Sequence, residues 1–277
     1  MTLALGIGAN TTVFTLINTL VLNPLPARNP GELAGVAGIE ANSSKAGTQF
    51  SISYPDLKDY QAQNAVFDSL AGYTSPRVLT RQEGGAPEVL FAELVTGNYF
   101  KTLGLTPSAG RFFVPEEDVP GGPAVAVLNY RSWRTHFGGT PAIIGRTVRL
   151  NDVVFTVVGV APQGFIGVNA IFGPDFWLPA ETAQRVWSAQ MRDALHERRQ
   201  AVFFAVGRYR PHITQNQAQA NLATIASGLA REYPASDEGH TVAVRPIRDT
   251  MLANSGGTAA QTVFRARRSW LSSASSF

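Results

Sequence analysis

"TVRLNDVVFTVVGVAP", residues 147–162, is the stretch whose reading decides the fold of this chain. Asn151-Asp152 separates two runs of strand-forming residues, and both side chains tolerate the positive φ of a tight hairpin turn. The stretch predicts a β-hairpin. Working outward, "AVAVL" (124–128) predicts a buried strand, and "YRSWRTHF" (130–137) a brief helix ended by Gly138-Gly139. "DFWLPA" (175–180) closes the region with two aromatics. Residues 110–180 therefore read as a β-rich insert of short strands and turns.

The flanks read differently. Ser53-Tyr54-Pro55-Asp56 has the form of a helix start, with Ser53 as N-cap, Asp56 as the capping-box acid and Pro55 in the first turn. Leu57, Tyr60, Asn64 and Phe67 follow at helical spacing. "EVLFAELVT" (88–96) is apolar on both faces and predicts a strand covered on both sides. A long helix is expected from about 181 to 199, and strand character resumes at "AVFFAVGRYR" (201–210). Thr214 and Gln217 form a second capping-box signature, opening a helix with Leu222, Ile225, Ala226 and Leu229 on one face and a stop near Pro234. "HTVAVRPI" (240–247) predicts a further strand. The fold class is α+β, a discontinuous mixed domain with a smaller β-rich unit inside it.

The two ends stand apart from this pattern. "LALGIGANTTVFTLINTLVLNPLPARNP" (3–30) has no charge before Arg28. Its Gly6, Gly8 and Asn10 do not make a dinucleotide fingerprint, because position 11 is Thr and no strand precedes the glycines. An export signal would need a basic n-region, and here only Met1-Thr2 precedes the apolar run. Residues 1–22 would span roughly 33 Å as a helix, about the hydrocarbon thickness of a bilayer. Pro24 and Pro26 would stop that helix at the interface. A transmembrane helix over 1–24 is the expectation. At the other end, residues 252–277 carry Arg265, Arg267, Arg268 and a run of serines without period, and are expected to be disordered or frame-shifted.

Charge and motif content exclude several functions. Removing the three tail arginines from the 23 basic residues leaves 20 against 20 acidic ones, so residues 1–251 are neutral and carry no nucleic-acid footprint. There is no cysteine, which excludes disulfides and thiolate metal sites. His136, His196, His212 and His240 show no metal-ligand spacing and read as solvated. Glu116-Glu117-Asp118 between Pro115 and Pro120 reads as a solvated turn. No nucleophile elbow, phosphate loop or calcium loop occurs, so no catalytic, cofactor-binding or metal-binding residue is assigned and no enzyme activity is expected.

These residues also carry a family resemblance. "LALGIGANTTVFTLINTLVLNPLP" resembles the first transmembrane helix of MacB-like ABC transporter permeases, especially the duplicated orphan type. "SYPDLKDY" with "FDSLAGY" (67–73), "VTGNYFKTLGLTPSAGRFF" (95–113), "PAVAVLNYRSWRTHFGG" (123–139), "IIGRTVRLNDVVFTVVGVAP" (143–162) and "PDFWLPA" (174–180) resemble successive blocks of that family's periplasmic core domain. The blocks run in order over residues 1–251. The resemblance implies a porter-like α+β core over 30–109 and 181–251, with the β-rich subdomain at 110–180 inserted in it. It further implies a permease subunit in the bacterial inner membrane, with its main domain in the periplasm between two membrane helices. Its partners would be a cytoplasmic ABC ATPase, a second permease copy or half, and the lipid membrane. Its function would be to pass ATP-driven motion to the export or extraction of hydrophobic compounds, without a cofactor.

Departures from the family pattern add two expectations. The chain starts inside the expected first helix, and a serine-rich tail replaces the second, third and fourth membrane helices. A truncated member unable to transport is therefore expected. The alternative is an extracytoplasmic binding or adaptor protein, tethered or released by cleavage near Pro24–Ala27.

Overall fold

The structure is a computed structural model that describes residues 25–40, 51–81, 87–168 and 173–254. The expected membrane helix at 1–24 lies outside the described residues, and among those described no helix is long and apolar enough to cross a membrane. In chain order, strand β1 (Leu33–Glu40) is followed by β2 (Ile52–Ser53), helix α1 (Tyr54–Gln63), β3 (Phe67–Thr74), β4 (Arg77–Arg81) and β5 (Glu88–Val95). Helix α2 (Tyr99–Leu103), β6 (Ala109–Gly110), β7 (Val125–Leu128), α3 (Tyr130–His136), β8 (Thr147–Leu150), β9 (Val153–Val160) and β10 (Phe176–Pro179) come next. The chain continues through α4 (Ala183–Val186), β11 (Ala201–Tyr209), α5 (Gln215–Glu232), α6 (Pro234–Asp237), β12 (His240–Pro246) and α7 (Ile247–Asn254). Residues 252–254 thus complete a helix, whereas the rest of the tail expected from 252 lies outside the described residues.

Two architectures share one strand. Strands β10, β7, β9, β8, β4 and β5 pair in that order, and β10 also pairs with β5, so the six close into a ring. From β5 the sheet continues through β3, β11, β1 and β12 as an open sheet. The strands of the β-rich stretch therefore do not close on themselves. They close on β4 and β5, which belong to the flank. Parallel pairing of Trp177 with Glu93 and Leu178 with Leu94 makes the last seam. Asp175 fastens its end, where both the backbone and a carboxylate oxygen meet the backbone of Phe91.

Side-chain alternation divides the core in two. Leu90, Ala92, Leu94, Leu150, Phe155 and Leu178 point into the ring, and their cluster runs on beneath α1 and α5. On the opposite face, α2 and α7 cover a second cluster containing Tyr99, Phe100, Trp177, Val206 and Met251. The edge strand β12 would leave free backbone groups. Gln215 and Gln219 of α5 take them, with Gln219 both accepting from Val244 N and donating to Val242 O, each at 2.8 Å. Helix α5 starts where the capping box places it, with Gln217 Oε1 accepting from Thr214 N at 2.8 Å.

Two expectations are corrected. No long helix spans 181–199: α4 stops at Val186, and Trp187 is extended with ψ 158°. The cause is tertiary. Asn151 Nδ2 captures the Val186 carbonyl at 3.1 Å, and extension of the next residue buries the Trp187 indole. The second correction concerns β5, which is covered on both faces only in its second half. Val89 and Phe91 are 61% and 39% exposed, and among the described residues no helix crosses the outer wall of the ring there.

The hairpin itself forms as predicted, with φ 46° at Asn151 and 66° at Asp152. Asn151 also bridges neighbours, since its Oδ1 accepts from Thr80 N at 2.8 Å while its amide holds Val186. Replacing Asn151 by Ala removes both bonds and places a β-carbon at positive φ, so urea denaturation should show a loss of about 2–3 kcal/mol. Asn151→Gly, which relieves the backbone, should cost less; an Asn151→Ala protein as stable as the original would contradict this bridging role.

Candidate functional site

The described chain enters and leaves the domain at one place. Leu25 at the entry and Ile247 and Met251 at the exit lie in a single buried cluster with Leu33, Tyr99, Phe100 and Leu103. Strand β11 delivers a charge to this apolar base. Arg208 is buried, yet its guanidinium donates from Nε to Thr102 O at 2.9 Å and from Nη1 to Glu32 Oε2 at 2.9 Å. Its Nη2 donates to Arg28 O at 2.8 Å and to Leu103 O at 3.2 Å. The carbonyls of Thr102 and Leu103 are left free at the C-terminal end of α2, where a cation is favoured by the helix dipole. One planar fork therefore ties the entry segment, the end of α2 and a central strand together. Arg28 N adds a backbone bond to Leu103 O at 3.1 Å.

The exit helix is held by proximity instead. A β-carbon at Gly35 of β1 would stand 2.0 Å from Thr250 Oγ1 of α7, so only glycine lets the helix lie this close. Thr250 is buried in that contact.

Further from the base, Glu93 and Trp177, paired across the ring's last seam, form a second buried polar group. Glu93 is fully buried, its Oε2 accepts the indole N–H of Trp177 at 2.6 Å, and its Oε1 has no hydrogen-bond partner among the described residues. Burial lifts its carboxyl to about 8, and the indole bond only partly opposes this. Tyr99 of α2 is raised further above the ordinary phenol range, by burial first and then by Glu93 and Tyr73.

Residues singled out in the sequence take mostly structural places. Of Glu116-Glu117-Asp118, only Glu116 is exposed. Glu117 is held by Arg111 at 2.6 and 2.7 Å, and that bond keeps its carboxyl below the usual range. Asp118 is buried and accepts from Gly97 N at 2.8 Å and Glu181 N at 2.9 Å, fastening the end of β5 to the chain after β10. The expected solvated turn is in this respect a staple. His136 lies 2.5 Å from Glu88, His196 meets Gln184, and no group of three metal-ligating side chains occurs among the described residues. Sequence reasoning missed Arg208, whose partners lie 105 and more positions away; the available signal was a charge inside the apolar run of β11.

The structure is similar to the periplasmic region of MacB from Actinobacillus actinomycetemcomitans, with a TM-score of 0.56 and 14% identity over 87% of this chain and 97% of that one. It is also similar to the extracellular domain of the noncanonic ABC-type transporter YknZ from Gram-positive bacteria, with a TM-score of 0.54 and 11% identity over 76% and 98% of the two chains. No curated protein matches the chain. The family model of the MacB-like periplasmic core domain matches residues 1–225, and the chain belongs to that family.

The buried acid gives the ring's last seam a pH signature. In the unfolded chain Glu93 ionises near its ordinary 4.5, whereas folded it keeps its proton to about 8. Its contribution is therefore complete below about 4.5 and is lost as pH rises through about 8. Denaturant unfolding from pH 5 to 9 should show a downward slope that Glu93→Gln flattens. Parallel profiles for the two proteins would contradict the assignment.

Proposed function

We propose that this domain transmits force in an ABC-type permease: motion driven by a cytoplasmic ATPase reaches it through its two chain ends and moves it against a second copy or half. The result is export or extraction of hydrophobic compounds from the membrane or periplasm. The observation that carries this reading is the shared base. Entry and exit segments pack into one cluster, and the four-acceptor Arg208 clamp joins the entry to the sheet. A displacement at the base then moves the sheet as a body, because an interior packed at crystal density transmits strain. The domain catalyses no reaction itself in this reading. The apolar opening stretch supports anchoring in the inner membrane, with the described domain on the outer side.

The absence of cysteine makes topology directly measurable. A single Glu116→Cys substitution on the exposed loop should react with a membrane-impermeant maleimide in intact spheroplasts. The chain should also stay in the pellet after alkaline carbonate. Labelling only after lysis would overturn the topology, and labelled protein released entirely by carbonate would replace the permease reading with that of a free adaptor.

A further inference from the structure

A cleft of about 630 Å³ opens where the start of β4, the Asn151 turn and the chain around α4 meet. Three of its lining residues are Arg77, Arg185 and Arg192, and none is acidic. Among the ion pairs of the described residues, none involves these three. The Arg77 guanidinium lies over the buried Trp187 ring at 5.3 Å, and Arg185 Nη2 is anchored on Gly122 O at 2.5 Å. Both guanidiniums are thus positioned without being neutralised. Asn151 holds the two walls together through Thr80 and Val186.

The cleft continues into an apolar strip. Val78 lines it and is 56% exposed; directly opposite on β5 stands Phe91, with Val89 beyond it on the same face. Alternation in β4 and β5 turns these three side chains outward from the ring, where no element among the described residues covers them. Concentrated positive charge beside an uncovered apolar track has a chemical complement, an anionic head on a hydrocarbon chain. Guanidinium forks match the oxygens of a phosphate in pairs, and three of them suit a doubly charged phosphomonoester.

We infer that this cleft is a binding site for a single-chain amphiphile with a phosphate head, the head among Arg77, Arg185 and Arg192 and the chain along Val78 and Phe91. The inference goes beyond force transmission, and the cleft's charge does not depend on coupling to an ATPase. The test is calorimetric titration of the full chain in nonionic detergent, without ATPase, using octyl phosphate. Inorganic phosphate and octyl glucoside serve as head-only and chain-only controls. Octyl phosphate should bind saturably, at least tenfold more tightly than either control, and weaken with added salt. The double variant Arg77→Gln, Arg192→Gln alters two exposed side chains and should lose tenfold or more in affinity with an unchanged circular dichroism spectrum. Phe91→Ser should weaken octyl phosphate and leave inorganic phosphate unaffected. Equal binding by the double variant, or inorganic phosphate binding as tightly as octyl phosphate, would overturn the assignment. Failure here leaves the topology result untouched, so the two readings fail separately.

Discussion

Arg208 is the constraint on which the base of this domain depends. A guanidinium cannot shed its charge, so burying one demands that its donors be met. The chain meets the demand with three backbone carbonyls and one carboxylate, drawn from residues 28, 32, 102 and 103. The ion pair with Glu32 is the lesser part, because that carboxylate is half-exposed and screened. The carbonyls matter more: without the guanidinium, Thr102 O would lose this donor at a buried helix end, and Leu103 O would keep only the backbone bond from Arg28 N. Leaving a buried acceptor without its donor typically costs about 1–3 kcal/mol. Lysine is no substitute, since a single ammonium cannot address four acceptors spread across a planar fork.

From that base the structure extends along one sheet into a closed ring. Strand β5 belongs to both parts, so a displacement of the open sheet reaches the ring through covalent chain as well as through packing. Asp118 and Asp175 secure the same transition with backbone bonds at Gly97, Glu181 and Phe91. Glu93 lies on that shared strand, an acid sealed behind Trp177 and the aromatic face of α2. Glu93 is held there by the indole N–H of Trp177.

Local chemistry explains what could be read in the sequence. Asn151-Asp152, the Thr214 and Gln217 capping box, the Ser53 cap and the apolar run 125–128 each state their structure within a few residues, and each forms. The order of short strands and turns over 110–180 was legible for the same reason. Ring closure was not. It depends on β10 finding β5 in parallel across more than 80 residues, a contact that no local pattern encodes. The helix expected over 181–199 fails because Asn151 and the burial of Trp187 act from outside that stretch. Val89 and Phe91 carry the pattern of a doubly covered strand but are exposed, with no cover among the described residues. At the base, Arg208 looked like an ordinary strand residue, and its four acceptors come from the entry segment and the end of α2, both distant in sequence. The arginine cleft is likewise assembled from positions 77, 185 and 192, which share nothing in sequence.

The central claim is that entry segment, α2 and sheet form one joint through Arg208, and hydrogen exchange read by mass spectrometry addresses it most directly. In Arg208→Met, residues 28–33 and 99–105 should lose protection together, while β7, β8 and β9 exchange as in the original protein. Arg208→Lys should reproduce the loss. Unchanged protection at both segments, or a loss confined to one of them, would contradict the clamp.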